Sequence, residues 1–307
     1  MTSPDVPAIG FKTVVVGVDG REGGREAIAL ARRLLEPEGR LILAAVARPR
    51  GSERLAALLA DADRRAAAQM LCAEAERLDI PASTVVVVRS SIADGLHSVV
   101  AEHDADLLVV GSAHRGTVGR VLLGDDAQAA LDGASCAVAV APRGGLRADA
   151  WRTIAVGDDG SAESAVALSS ARRLAARLGA TVRACAVVGP SSLRYREVSR
   201  ADSSDAIARR EFAERRRLER YAGVEADVLR GDPGEALAEL SDEVDLIMIG
   251  SRGQGPWGRL ITGSTGAYLA RHASCPVLIL PRGLAPSAAP APDGPSQDPH
   301  GPAVAAS

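Results

Sequence analysis

The chain is one unit written twice, which rules out any fold built as a single non-repeating domain. The segment 14-VVVGVDG-20 returns as 154-IAVGDDG-160, and 31-ARRL-34 returns as 171-ARRL-174. Further on, 106-DLLVVGS-112 matches 245-DLIMIGS-251, and 119-GRVLLG-124 matches 258-GRLITG-263. The closing segments 134-ASCAVAVAPRGG-145 and 273-ASCPVLILPRGL-284 also match, and the separation stays at about 140 residues throughout. Chance similarity does not keep register over that distance. Residues 11–142 and 151–282 therefore read as two homologous domains joined by 143-RGGLRADA-150. In a chain of 307 residues, each is long enough to bury its own core. The remaining 283–307 are rich in Ala, Pro, Ser and Gly and are expected to be disordered.

Within the second unit, short apolar runs alternate with longer amphipathic ones. Strands are expected at 153-TIAVG-157, 181-TVRACAVV-188, 224-VEADVLRG-231, 244-VDLIMIG-250 and 276-PVLILP-281. Helices are expected at 161–179, 202–223, 233–243 and 264–274, with Ser161 as N-cap, Gly179 as terminator and Pro233 in the first turn. Strands this apolar, separated by helices, imply a parallel sheet covered on both faces. The expected class is α/β: two tandem open-twisted parallel five-stranded sheets with helices on both faces. Ligands of such sheets bind beyond the carboxyl ends of the strands where strand order reverses. That directs attention to the loops after the first, second and fourth strands.

Composition narrows the function. Aromatics make up only 2% of the chain, so the cores must be built from Ala, Val, Leu and Ile. A net charge of −3 gives no electrostatic case for nucleic acid as the main partner. The run 209-RREFAERRRLER-220 interleaves Glu at helical spacing and reads as a solvated helix face. Cys72, Cys136, Cys185 and Cys275 form no C-x-x-C pair and have no neighbouring His, so buried free thiols are expected instead of a metal or redox site. His97, His103, His272 and His300 do not cluster, and no catalytic Ser/His/Asp set can be assigned. The start of the chain lacks a basic segment followed by an apolar one, and no apolar run nears the roughly 18 residues that span a bilayer. A cytoplasmic protein is expected.

The loop 250-GSRGQGPWGRLITGST-265 contains a literal G-x-G-x-x-G at Gly253, Gly255 and Gly258. A dinucleotide turn belongs after the first strand, with an acidic residue about 20 positions on. Here the preceding strand is the fourth, and only apolar strand lies near Leu278, so the match is accidental. A Walker A motif would need a Lys that this loop does not have. A different spacing carries more physics: Gly250, two residues, Gly253, nine residues, then Gly263-Ser264. Gly250 ends a strand where backbone can approach a ligand, and Gly253 can adopt positive φ. Gly263-Ser264-Thr265 opens a helix whose free N–H groups and dipole favour an anion.

Together the G-x2-G-x9-G-[ST] spacing, the V-G-x-D-G turn and the closing C-P-V-L-I-L-P strand resemble the universal stress protein family. The likeness covers both units, nearly all of 11–283. It implies an adenine-nucleotide-binding fold, Rossmann-like and of the adenine nucleotide alpha hydrolase type, with ATP, alone or with Mg2+, as ligand. Carried over residue by residue, Asp159 would lie beside the adenine and ribose, and Val187 near the base. Met248 and Gly250 would line the nucleoside side. Gly253, Gly263, Ser264 and Thr265 would hold the phosphates, with Arg252 adding charge. The resemblance further implies that 136-CAVAVAP-142 pairs with 275-CPVLILP-281 in an intrachain pseudo-dimer, with a homodimer of chains open.

The first unit departs from this pattern. Asp19 and Gly111 are retained, and Gly124 matches Gly263, but His114 replaces Gly253 and Asp125 replaces Ser264. A carboxylate there repels a phosphate by about 1–4 kcal/mol at 4 Å. The second unit is therefore expected to be the main nucleotide site, and Asp19, Gly111, His114, Gly124 and Asp125 a weak or vestigial one. The readings left open are a nucleotide-dependent stress-response switch, a slow ATPase or autophosphorylating enzyme, and a nucleotide-free interaction scaffold.

Overall fold

The computed structural model describes residues 10–48, 53–112, 129–142, 144, 146, 150–189, 200–251 and 263–282, with backbone only over 53–60 and 200–204. The first unit runs β1 (Phe11–Gly17), α1 (Glu22–Leu34), β2 (Leu35–Ala47), α2 (Glu53–Glu76), β3 (Ala82–Val88), α3 (Ile92–Glu102), β4 (Leu107–Gly111) and β5 (Ala137–Ala141). The second repeats it as β6 (Thr153–Gly157), α4 (Ala162–Leu178), β7 (Thr181–Val188), α5 (Arg200–Leu218), β8 (Glu225–Arg230), α6 (Pro233–Leu240), β9 (Leu246–Gly250), α7 (Ser264–His272) and β10 (Val277–Leu280).

Local chemistry sets these boundaries. The Ser161 hydroxyl accepts from the Ser164 N–H at the start of α4, and Gly179 ends that helix in the left-handed region at φ 71°. Asp232 accepts from the Gly234 N–H ahead of Pro233. Every strand expected in the second unit is present within two residues of its expected ends.

The two units form one ten-stranded sheet, in the order β3-β2-β1-β4-β5-β10-β9-β6-β7-β8. Each half is parallel, as in the pairing of Val14, Val15 and Val16 with Leu107, Leu108 and Val109. The halves meet antiparallel, with Val277, Leu278 and Ile279 opposite Val140, Ala139 and Val138. The expected pairing of the last strands is thus made within the chain, and it buries two apolar edges that would otherwise invite aggregation. One face carries α1, α2, α4 and α5 over a core that includes Leu30, Leu71, Leu168 and Leu218. The other carries α3, α6 and α7 over Leu96, Leu237 and Leu269.

Contacts beside the seam tie the units further. The Arg177 guanidinium on α4 donates to the Arg33 and Leu34 carbonyls at 3.0 Å and to the Leu35 carbonyl, capping the end of α1. Arg33 stands 5.4 Å from the ring centroid of Trp151.

The fourth strand of each unit ends on a glycine for a steric reason. A Cβ on Gly111 would lie 2.0 Å from the Gly23 carbonyl oxygen, and one on Gly250 would lie 2.6 Å from the Glu163 carbonyl carbon. The crowding atoms belong to the first turns of α1 and α4, so they are backbone that cannot step aside. Gly111→Ala and Gly250→Ala are each expected to destabilise the fold by about 1–3 kcal/mol or more, read by urea unfolding. A loss below about 0.5 kcal/mol would show that the helices give way.

Candidate functional site

Strand order reverses between β1 and β4 in the first unit and between β6 and β9 in the second, so a crevice is expected at both places. In the first unit it is an open cavity of about 570 Å3 at the carboxyl ends of β1, β2 and β4, walled on one side by α2. Val18, Val46, Met70 and Val110 supply apolar wall, while Asp19, Arg21, Arg48 and Asp63 supply charge. The Asp19 carboxylate accepts from the Arg21 N–H at 3.0 Å, which fixes the turn after β1.

The same ground in the second unit is polar. Asp158 is 3% exposed, and one of its oxygens accepts from the Gly160 N–H at 2.8 Å, the Ser164 hydroxyl at 3.2 Å and the Arg217 guanidinium at 2.7 Å. Its other oxygen has no hydrogen-bond partner among the described residues. Arg217 also donates to the Asp158 carbonyl at 3.2 Å and to Glu214 at 2.7 Å. Burial works against its charge, but the hydrogen bonds to Glu214 and Asp158 outweigh it and hold the guanidinium above its ordinary pKa. Tyr221, at 3.4 Å from Arg217, has its phenol pushed up by burial and by the Asp158 charge. Arg217 lies beside Gly160 as Met70 lies beside Gly20, so the two occupy equivalent places.

Gly263, at the start of α7, sits at φ −62°, ψ 170° and caps nothing with a side chain; among the described residues no atom lies within 4 Å of where a Cβ would stand. Neither strain nor crowding by described residues requires a glycine there. No acidic residue occupies the first turn. Ser264 is exposed and Thr265 half-buried, so N–H groups and two hydroxyls stand together at the helix start.

The universal stress protein family model matches this chain twice, over residues 10–142 and 150–281. The chain belongs to the universal stress protein family. A universal stress protein of Mycolicibacterium smegmatis is 31% identical over 59% of this chain and 63% of its own length. One from Mycobacterium tuberculosis is 29% identical over 57% of this chain and 61% of its own. The matched region thus spans about three fifths of these relatives. The crystal structure of a universal stress protein from Archaeoglobus fulgidus covers 89% of this chain and 99% of its own at a TM-score of 0.64 and 17% identity, a likeness of fold.

Set against the family pattern, the expected site residues fall into three groups. Asp159 is exposed in the turn after β6, its carboxylate accepting from the Ser161 N–H at 3.0 Å as Asp19 does in the first unit. Val187 is half-buried near the end of β7, and Gly263, Ser264 and Thr265 are placed as described. Met248 needs correction: α4 covers its strand face and leaves it fully buried in the core. Gly250 has Glu163 where its Cβ would stand, while its counterpart Gly111 lines the first cavity. Ile249 faces the opposite layer and corresponds to Val110, which lines the first cavity. Arg252, Gly253, His114, Gly124 and Asp125 lie outside the described residues.

Residue-type reasoning passed over Arg217 because it sits in an alternating Arg/Glu run. The sequence showed only that Val18 becomes Asp158; the equivalence of Met70 and Arg217 comes from their places beside Gly20 and Gly160. Of the expected buried thiols, Cys136, Cys185 and Cys275 are buried, and burial pushes Cys136 and Cys185 up to about 12, while Cys72 is exposed. No described helix is long and apolar enough to cross a membrane.

Proposed function

We propose that the second unit binds an adenine nucleotide, ATP first and with Mg2+ as its counterion, and that occupancy switches the shape or partners of a cytoplasmic stress-response regulator. The observation that carries this reading is Gly263. Ahead of N–H groups that no described side chain caps, it leaves space clear of every described residue, which its backbone geometry does not demand. An anion at that point gains both the orphan donors and the helix dipole. Ser264 and Thr265 add hydroxyl donors to phosphate oxygens, and Asp159 stands at the mouth for the ribose. Val187 and Ile249 would line the base, and Arg217, fixed by Asp158 and Glu214, would offer its planar face to it.

Binding, not turnover, is the activity these groups support. Phosphoryl transfer needs a positioned base and strong charge neutralisation beside the reacting phosphate. Asp158, Arg217 and Glu214 are instead committed to one another, and Asp159 accepts from the Ser161 N–H.

The test is direct. Full-length protein is purified, denatured, and the released small molecules are identified by mass, with calorimetric titration of ATP into ligand-free protein alongside. The expected result is recovery of an adenine nucleotide and saturable binding near one equivalent per chain. Neither nucleotide release nor heat on titration would overturn the reading.

A further inference from the structure

We infer that two copies of this chain pair through β3, strand to strand and antiparallel, so that the sheet of one copy runs on into the sheet of the other. β3 and β8 are the two edges of the sheet, and no described strand pairs with the outer side of either. An open edge is a template for any other strand, and proteins blunt it with charges, proline or bulges. β8 carries such guards. Glu225 and Asp227 lie 3.6 and 4.0 Å from Arg183 on the neighbouring strand, and Arg230 binds Glu211 at 2.8 Å.

β3 has no such guard. The two edges are equivalent in the repeat: Ala44 pairs with Gly17 and Val85 where Cys185 pairs with Gly157 and Asp227. In that register Ser83, Val85 and Val88 stand in place of Glu225, Asp227 and Arg230, and the strand reads 82-ASTVVVV-88 without charge or proline. Ser83 and Thr84 are exposed and the four valines only half-buried. One unit thus guards its edge, while the other leaves bare a run of strong strand formers.

The backbone sets the register. Arg89 donates its N–H to the Ala47 carbonyl on β2. Successive residues of a strand point their N–H and C=O to opposite sides, so Ser83, Val85 and Val87 face β2 while Thr84, Val86 and Val88 face outward. The exposed Arg89 guanidinium, which reaches the Val88 carbonyl at 2.9 Å, agrees. This outward set is symmetric about Val86. Two antiparallel copies of β3 therefore satisfy each other, with Val86 opposite Val86 and Thr84 opposite Val88. A two-fold contact of this kind closes on itself and stops at a dimer. The chain already uses the same device, because β5 and β10, equivalent apolar strands of its two units, meet antiparallel at the seam. A second copy is the occupant that repeats it.

Sedimentation velocity of the full chain tests this, with a dimer expected by roughly 100 µM. Thr84→Lys with Val88→Lys sets like charges opposite each other across the two-fold and should give a monomer with unchanged circular dichroism. Thr84→Glu with Val88→Lys alters the same positions but sets opposite charges face to face, so it should remain a dimer. In the parent, hydrogen exchange at the Thr84, Val86 and Val88 amides should be slow in the dimer and fast on dilution to monomer, which decides the matter without any variant. A monomeric parent overturns the proposal, as does a dimer that survives the two lysines, or loss of the dimer in both variants. A monomer with those amides protected would overturn it too, by placing another segment of the chain on this edge.

Discussion

Arg217→Ala is expected to cost about 3–5 kcal/mol of stability, the largest loss predicted for any single side chain at this site. The Asp158 side chain is fully buried and the guanidinium is only 20% exposed, so truncation strands a carboxylate in low dielectric without its counter-charge. Glu214, at 17% exposure and 2.7 Å from Arg217, loses its partner in the same step. The repeat provides the control. Asp158→Val combined with Arg217→Met copies the first unit's own solution and should recover most of the loss, because replacing a buried pair by apolar groups is often neutral. Urea unfolding of Asp158→Val, Arg217→Met and their double closes the cycle, with a coupling of about 2 kcal/mol or more expected. A single-variant loss below about 1 kcal/mol would show that the pair is solvated and decorative.

That control also shows what sequence alone makes legible. Doubling and the succession of strands and helices follow from patterns that local chemistry enforces: strand runs too apolar for one exposed face, Ser161 and Pro233 where helices begin, Gly179 where one ends; the pairing of β5 with β10 was implied by the family resemblance, and its antiparallel direction came from the structure. Local geometry was legible where backbone dictates it, in the helix start at Gly263-Ser264 and in the turns at Asp19 and Asp159. It was not legible where a side chain's direction decides. Met248 and Gly250 share a strand face by simple alternation, but which layer covers that face depends on α4, a long-range packing choice. Arg217 is one arginine in a helix full of them, and only the packing of that helix on β7 and β8, which brings it to Asp158, singles it out. The missing Cβ at Gly250 answers to Glu163, which stands where it would be.

Gly263→Asp is expected to weaken ATP binding by roughly 10- to 100-fold while leaving the protein as stable as before or more so. Asp is a favoured N-cap, and its carboxylate would accept from the open N–H groups of α7 and meet the positive end of the dipole, a gain of some tenths to about 1 kcal/mol. The same carboxylate then stands where a phosphate must, and repulsion of about 1–4 kcal/mol at close range accounts for the loss, since 1.4 kcal/mol is tenfold. The geometry favours the test, because nothing lies within 4 Å of the new Cβ and the backbone is already at φ −62°. Stability and affinity are therefore predicted to move in opposite directions, which a misfolded variant cannot imitate. Gly263→Ala separates charge from bulk: it gives up no dipole interaction and adds no repulsion, so its ATP affinity should stay within a few-fold of the parent. If Asp and Ala at 263 weakened ATP equally, bulk would be the cause and the helix start would not be where the phosphates rest; if neither did, the nucleotide would lie elsewhere.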